Sequence, residues 1–178
     1  MRKDYEIILN LIPENSKVLD IGCSDGELIT YLENKGISAQ GVELSQEKVI
    51  KCLEKGLDVI HGDINLIVED FPFNQFDYCL LTQTIQAVQE PDQLLNTLKK
   101  VSKNIIVSFN NSARLSKISN FLLTGSFDSL LKKANSDHWY NTDYIHPCSI
   151  KDFKKLATDL DLKIISTFDV LSQKKFEN

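Results

Sequence analysis

Apolar runs of four to eight residues alternate along this chain with longer amphipathic stretches, and that rhythm leaves few folds open. Short runs rich in branched side chains, separated by helical segments, are the pattern of βαβ units, whose strands are buried on both faces of a mostly parallel sheet. Strands are expected at Lys17–Ile21, Ala39–Glu43, Asp58–His61, Phe76–Leu81, Asn104–Ser108 and Lys163–Phe168. Helices fit Asp4–Leu11, Glu27–Lys35, Gln46–Lys55, Pro91–Val101 and Ile150–Asp161. Gly36 and Gly56 stand where helix C-caps are needed, Ser45 where an N-cap is, and Ser149 with Asp152 reads as a capping box. The expected class is α/β, a Rossmann-like three-layer fold with helices on both faces of a six-stranded sheet.

With 178 residues, 42% hydrophobic and 25% charged, the chain has the size of one domain, residues 1–178, with a full core. Its net charge of −5 supplies no basic field for nucleic acid or an anionic membrane, so neither partner is expected. The start, MRKDYEIILNLIP, has its apolar part broken by Asp4, Glu6 and Asn10, unlike a signal peptide. No run approaches the roughly 18 apolar residues of a membrane span, and a cytoplasmic location is expected. Cys23, Cys52, Cys79 and Cys148 form no C-x-x-C pair, which indicates neither a metal site nor a disulfide framework. Residues 110–148 break the helix-strand rhythm, with only ARLSKISNFLL looking helical, and are expected to form an irregular insertion or lid.

The stretch VLDIGCSDGELI, Val18 to Ile29, admits two chemistries. Gly22 to Gly26 spells G-x-S-x-G, the strand-turn-helix elbow that would raise Ser24 as a hydrolase nucleophile. That reading lacks its upstream half, because an oxyanion loop comes from earlier strands and this strand is the first. A nucleotide-binding loop in the same place gains support downstream, since Glu43 closes the second strand and Asp63 follows the third. Ligands of open α/β sheets bind at the carboxyl ends of strands, so these positions converge on one crevice. An acid at Glu43 suits a ribose diol and repels a 2′-phosphate. Asp20 and Asp25 make a poor cradle for pyrophosphate and suit a ligand that carries an ammonium and a sulfonium.

VLDIGCSDGEL, Glu43 and the GDI at Gly62–Ile64 resemble the first three motifs of class I S-adenosylmethionine-dependent methyltransferases, with Ser24 in place of the usual middle glycine. A more specific resemblance covers almost the whole chain. FDYCLLTQTIQAVQEPDQLL, IVSFNN and WYNTDYIHPCSIKDF are similar to segments of the MetW family of methionine-biosynthesis proteins. The resemblance implies a methyltransferase-like fold and S-adenosylmethionine as cofactor, with S-adenosylhomocysteine as its product or inhibitor. It also implies a link to homoserine O-acyltransferase, a MetX-like enzyme that this family supports or regulates. The class ordinarily ends in an antiparallel hairpin; only SQKKFEN follows LKIISTFDVL here, so a seventh strand is expected to be missing or incomplete.

Carried over by position, the resemblance places Asp20, Gly22, Cys23 and Ser24 beside the methionine part of the cofactor. Glu43 and Leu44 fall at the ribose and adenine, Asp63 and Ile64 at the adenine edge, and Gln83 at the backbone after the fourth strand. If methyl transfer to a small molecule occurs, the acceptor side draws on His138, Tyr140, Tyr144 and His146. No D/N-P-P-Y run follows the fourth strand, where Gln83, Thr84 and Gln86 are neutral, which argues against adenine or amide methylation. Three readings remain: a cofactor-binding support of the acyltransferase, a small-molecule methyltransferase, and a serine hydrolase using Ser24.

Overall fold

Five parallel strands form the central sheet: β1 (Lys17–Ile21), β2 (Ser38–Glu43), β3 (Val59–His61), β4 (Phe76–Thr82) and β5 (Ser102–Ser108). This computed structural model describes residues 1–128, 144–172 and 174–176. The strand order is β3-β2-β1-β4-β5, so the chain winds one way from β1 and the other way from β4. Such a reversal opens a crevice at the carboxyl ends of the two central strands.

Period-two alternation assigns each face its own core. Val18 and Leu80 pack with Tyr5, Ile8, Leu28, Leu32 and Cys52, from α1 (Lys3–Leu11), α2 (Glu27–Asn34) and α3 (Gln46–Glu54). Leu19, Ile21, Cys79 and Leu81 pack on the opposite face. There they meet α4 (Ile64–Ile67), α5 (Pro91–Val101) and α7 (Ile150–Asp159) through Ile64, Leu94, Leu95, Leu98, Phe153 and Leu156.

Helix ends are fixed by the signals the sequence carries. After α2, Gly36 N–H donates to Glu33 O at 2.9 Å and Ile37 N–H to Leu32 O at 3.0 Å, a Schellman closure that α3 repeats at Gly56 and Leu57. The capping box at α7 is complete, with Asp152 N–H on Ser149 Oγ at 3.1 Å and Ser149 N–H on Asp152 Oδ2 at 3.0 Å. Ser45 sits at the N-cap of α3 without a side-chain cap bond.

The carboxyl-terminal part departs from the six-strand expectation. No strand is assigned from 162 to 166; β6 (Thr167–Asp169) pairs antiparallel with β7 (Lys174–Phe176) in a separate two-stranded ribbon. Helix α7 also stops two residues short of the expected Asp161. Asp161 adopts φ 56°, its N–H donates to Thr158 O at 3.1 Å, and Leu162 N–H donates to Ala157 O at 2.8 Å. The two residues that precede the expected strand, Asp161 and Leu162, are therefore committed to closing the helix. Leu162 is half-buried and Ile165 is 76% exposed, so the apolar alternation persists without a ladder onto β5.

Between β5 and α7 the chain makes a long excursion that carries α6 (Leu115–Thr124). Its neck is closed by hydrogen bonds. Asn111 bridges to Cys148, and Ser112 N–H donates to Cys148 O at 2.9 Å. Gln86, 1% exposed, gathers both sides: its backbone carbonyl accepts Ile145 N–H at 3.0 Å and His146 N–H at 3.1 Å. Its side-chain carbonyl accepts Asn110 N–H at 3.0 Å, and its amide donates to Asn110 O at 3.3 Å. Replacing Gln86 with Leu keeps the volume and strands the Asn110 N–H. The expected loss is about 1–3 kcal/mol, seen as a lower urea midpoint at unchanged m-value.

Candidate functional site

At the end of β1 the chain turns from strand to helix within five residues. Gly22 N–H and Cys23 N–H both donate to Val42 O, at 2.8 and 3.2 Å, which folds the loop onto β2. Gly22 has φ 72°, and a Cβ there would lie 2.7 Å from Thr84 Oγ1, so only glycine fits between β1 and the loop after β4. On β2, a Cβ at Gly41 would lie 2.6 Å from Cys23 Sγ and 2.7 Å from Ile29 Cδ1; that missing side chain is the seat of Cys23. Ser24 is left-handed too, with φ 55°, a conformation that costs a residue with a Cβ about 1–2 kcal/mol.

Glu43 holds this loop in place. It is 7% exposed; one carboxylate oxygen accepts Ser24 N–H at 2.8 Å and the other accepts Ser45 N–H at 2.9 Å. Gly62 N–H donates to Glu43 O at 3.1 Å, and the His61 ring lies 3.0 Å from Leu44 O, so the ends of β1, β2 and β3 are joined. Leu44 beside them is 66% exposed, whereas Ile64 is buried in the core. Asp63 caps α4, its Oδ1 accepting Asn65 N–H at 2.9 Å. Gln83 follows β4 with φ 59°, its N–H donating to Ser108 O at 2.9 Å. The Tyr144 hydroxyl donates to the Gln83 side-chain carbonyl at 3.4 Å and accepts from Asn110 Nδ2 at 3.1 Å.

Asp20 lies on the sheet face covered by α1 and α2, 2% exposed, and its Oδ1 has no hydrogen-bond partner among the described residues. Burial pushes its carboxyl up to about 7, opposed by the Arg2 guanidinium and assisted by the negative Glu43. Arg2 itself is paired with Asp4 at 2.5 Å and lies 4.4 Å over the Tyr5 ring. An unsatisfied buried acceptor at the end of β1 suits a cationic donor, which fits the ammonium of an amino-acid-bearing ligand.

Of the proposed acceptor-side groups, Tyr144 stands at the crevice, and the His146 ring lies 3.1 Å from Gln89 O in the loop before α5. His138 and Tyr140 lie outside the described residues. Ser24 has no histidine partner among the described residues, where His61 and His146 both meet backbone carbonyls. No group of three or more His, Cys, Asp or Glu that could hold a metal occurs among the described residues. Sequence reasoning took Thr84 only as a neutral residue after the fourth strand and missed its packing on Gly22, and it gave Asn110 no role, because nothing local signals a contact made across the sheet.

The sequence matches the family model for methionine biosynthesis protein MetW over residues 2–177. The chain belongs to the MetW family. The bifunctional methionine biosynthesis protein MetXA/MetW of Rhodopirellula baltica is 32% identical over 170 residues, covering 90% of this chain and 27% of that protein. An uncharacterized methyltransferase of Staphylococcus carnosus is 26% identical over 189 residues, covering 97% of this chain and 82% of that protein. Among solved structures, a SAM-dependent methyltransferase from Archaeoglobus fulgidus has a TM-score of 0.68 at 18% identity, over 93% of this chain and 73% of that one. The [4+2]-cyclase SpnF has a TM-score of 0.69 at 18% identity, over 96% of this chain and 60% of that one. The chain therefore has the Rossmann-like class I methyltransferase fold. A cyclase on the same fold shows that the architecture leaves the reaction open.

Three outcomes test this geometry. Glu43→Gln replaces one acceptor oxygen with an NH2 group facing a backbone N–H, so it should cost the protein about 1–3 kcal/mol even without ligand. Ser24→Gly relieves the left-handed backbone and loosens the unfolded chain by about 0.4–1 kcal/mol, so its urea midpoint should match or exceed that of the parent. Between about pH 4 and pH 7 the folded protein keeps a proton on Asp20 that the unfolded chain has released, so this group makes stability fall as pH rises through that window. Asp20→Asn should remove that contribution in urea titrations across the same range.

Proposed function

We propose that this chain binds S-adenosylmethionine in the crevice at the carboxyl ends of β1, β2 and β4 and acts as a supporting subunit of homoserine O-acyltransferase. The observation that carries the cofactor reading is Asp20 Oδ1, a buried carboxylate oxygen with no partner among the described residues, directly before the Gly22–Gly26 turn. When bound, the cofactor supplies a methyl group on a positively charged sulfur. Asp20 accepts from its ammonium. Glu43, oriented by the two backbone N–H groups it already holds, keeps lone pairs for the ribose hydroxyls. Exposed Leu44 covers one face of the adenine, with Asp63 and Ile64 at its edge, while Gly22, Cys23, Ser24 and the Gln83 backbone border the amino-acid end.

The acyltransferase reading draws on the fused Rhodopirellula protein, whose name joins MetXA to MetW. It also draws on what the β4 end offers. Gln83, Asn110 and Tyr144 form a neutral hydrogen-bonded set, which contains no group to take a proton from an acceptor near pH 7. The same set supports a second reading, a small-molecule methyltransferase whose acceptor needs alignment alone, since direct displacement depends mainly on positioning.

S-adenosylhomocysteine at about a hundred times its Kd should stabilise the protein by about 2.7 kcal/mol in thermal unfolding. Because the ligand needs ionised Asp20, affinity should rise as pH increases through about 7, and Asp20→Asn should weaken it about tenfold or more. No stabilisation at millimolar ligand refutes the cofactor assignment. For the partner, co-purification with the acyltransferase and its activity with and without this chain decide. Failure to associate, together with cofactor-dependent methylation of a metabolite extract, establishes the second reading instead.

A further inference from the structure

Helix α6 is the one element of ten or more residues, among those described, that buries no residue in its own chain. Yet it is strongly apolar. Ile118 and Phe121 turn half-buried toward the protein, while Leu115, Leu122 and Leu123 are 79%, 76% and 86% exposed. Leu115 and Leu122, seven residues apart, share one stripe of the helix surface, with Leu123 on one side of it and half-buried Ile118 on the other. Phe127, 60% exposed, extends the patch with its ring 5.1 Å from Phe121. Gly125, at φ 66°, closes the helix through its N–H on Phe121 O. A ten-residue helix is marginal in water without a covered apolar face, and clustered exposed leucines mark a surface that another molecule covers.

We infer that this stripe of α6 is the surface on which the acyltransferase docks, an inference that rests on the supporting-subunit reading above. Two observations favour that occupant. First, in the fused relative a MetW-like domain works on the same chain as MetXA; a tether supplies local concentration, and contact still needs a surface. Second, residues 110–127 contain Arg114 and Lys117 and no Asp or Glu, so that even with Asp169 near Arg114 the stretch is less acidic than the whole chain, which carries −5. That surface suits a partner with an acidic rim around an apolar pocket, to which the exposed leucines and Phe127 supply the apolar contacts. A second copy of the chain offers the same acid-free helix and adds its own −5. The position also fits the role, because the neck of this excursion reaches Gln83 at the crevice through the Tyr144 hydroxyl.

The test compares the full chain with a Leu122→Asp, Leu123→Asp double variant, and with Leu53→Asp as a control at an exposed leucine of α3. Each is titrated with purified acyltransferase from the same organism by sedimentation velocity, and its melting shift with S-adenosylhomocysteine is measured in parallel. The expected result is a complex with the parent and with Leu53→Asp, at least a hundredfold weaker binding by the double variant, and an equal ligand shift in all three. Undiminished binding by the double variant overturns the docking surface and leaves the supporting role standing. A parent that forms a homodimer lost in the double variant, or that binds anionic vesicles through these leucines in place of the enzyme, also overturns it. No complex with the parent removes the supporting role itself.

Discussion

The Glu43 carboxylate, receiving the Ser24 and Ser45 N–H groups, is the interaction on which the rest of the site depends. Three loops leave the sheet at the same edge, and each has to end there without hydrogen-bonded continuation of its strand. One side chain satisfies two of those loops, and the Glu43 backbone carbonyl takes Gly62 N–H from the third. Hydrogen bonds to an ionised acceptor are worth about 1.5–3 kcal/mol each, enough to hold Ser24 in a left-handed conformation that costs about 1–2 kcal/mol. The serine that replaces the middle glycine of the usual class I methyltransferase loop is thus accommodated by an acid nineteen residues away.

How legible this was depended on range. Turn and cap chemistry is written in adjacent residues, so the Gly22–Gly26 turn, the Gly36 and Gly56 closures and the Ser149 capping box could be read directly. The parallel core was equally legible, because strands buried on both faces appear as uninterrupted apolar runs. Asp20 could be named from the turn that follows it, but its charge state depends on burial and on Arg2 and Glu43, which only the fold brings near it. Gln86 looked like one more neutral residue in a loop; its role exists only because residues 110 and 145–146 come back to it. The short apolar run at Lys163–Phe168 suggested a strand, yet such a run reports which side chains are covered and says nothing of whether a neighbouring strand accepts the backbone.

Fold and task separate in this protein. The sheet, its two helical layers and the crevice are common to methyltransferases and to a cyclase. Past β4 this chain carries a neutral hydrogen-bonded set, a neck closed by Gln86, and a helix with exposed leucines. Evolution of function on such a scaffold proceeds by changing excursions while the strand ends stay fixed.

Cys23 gives the glycine loop a property unrelated to ligand binding. Its thiol, seated where Gly41 lacks a side chain, is 5% exposed, and burial together with the negative Asp20 raises its proton affinity far beyond that of a free thiol. In the closed loop both the thiolate form and access for an electrophile are suppressed. Alkylation then proceeds only through molecules whose loop has lifted from β2, and the modification rate becomes a clock for that opening. The chain carries its own stopwatch at the mouth of the crevice.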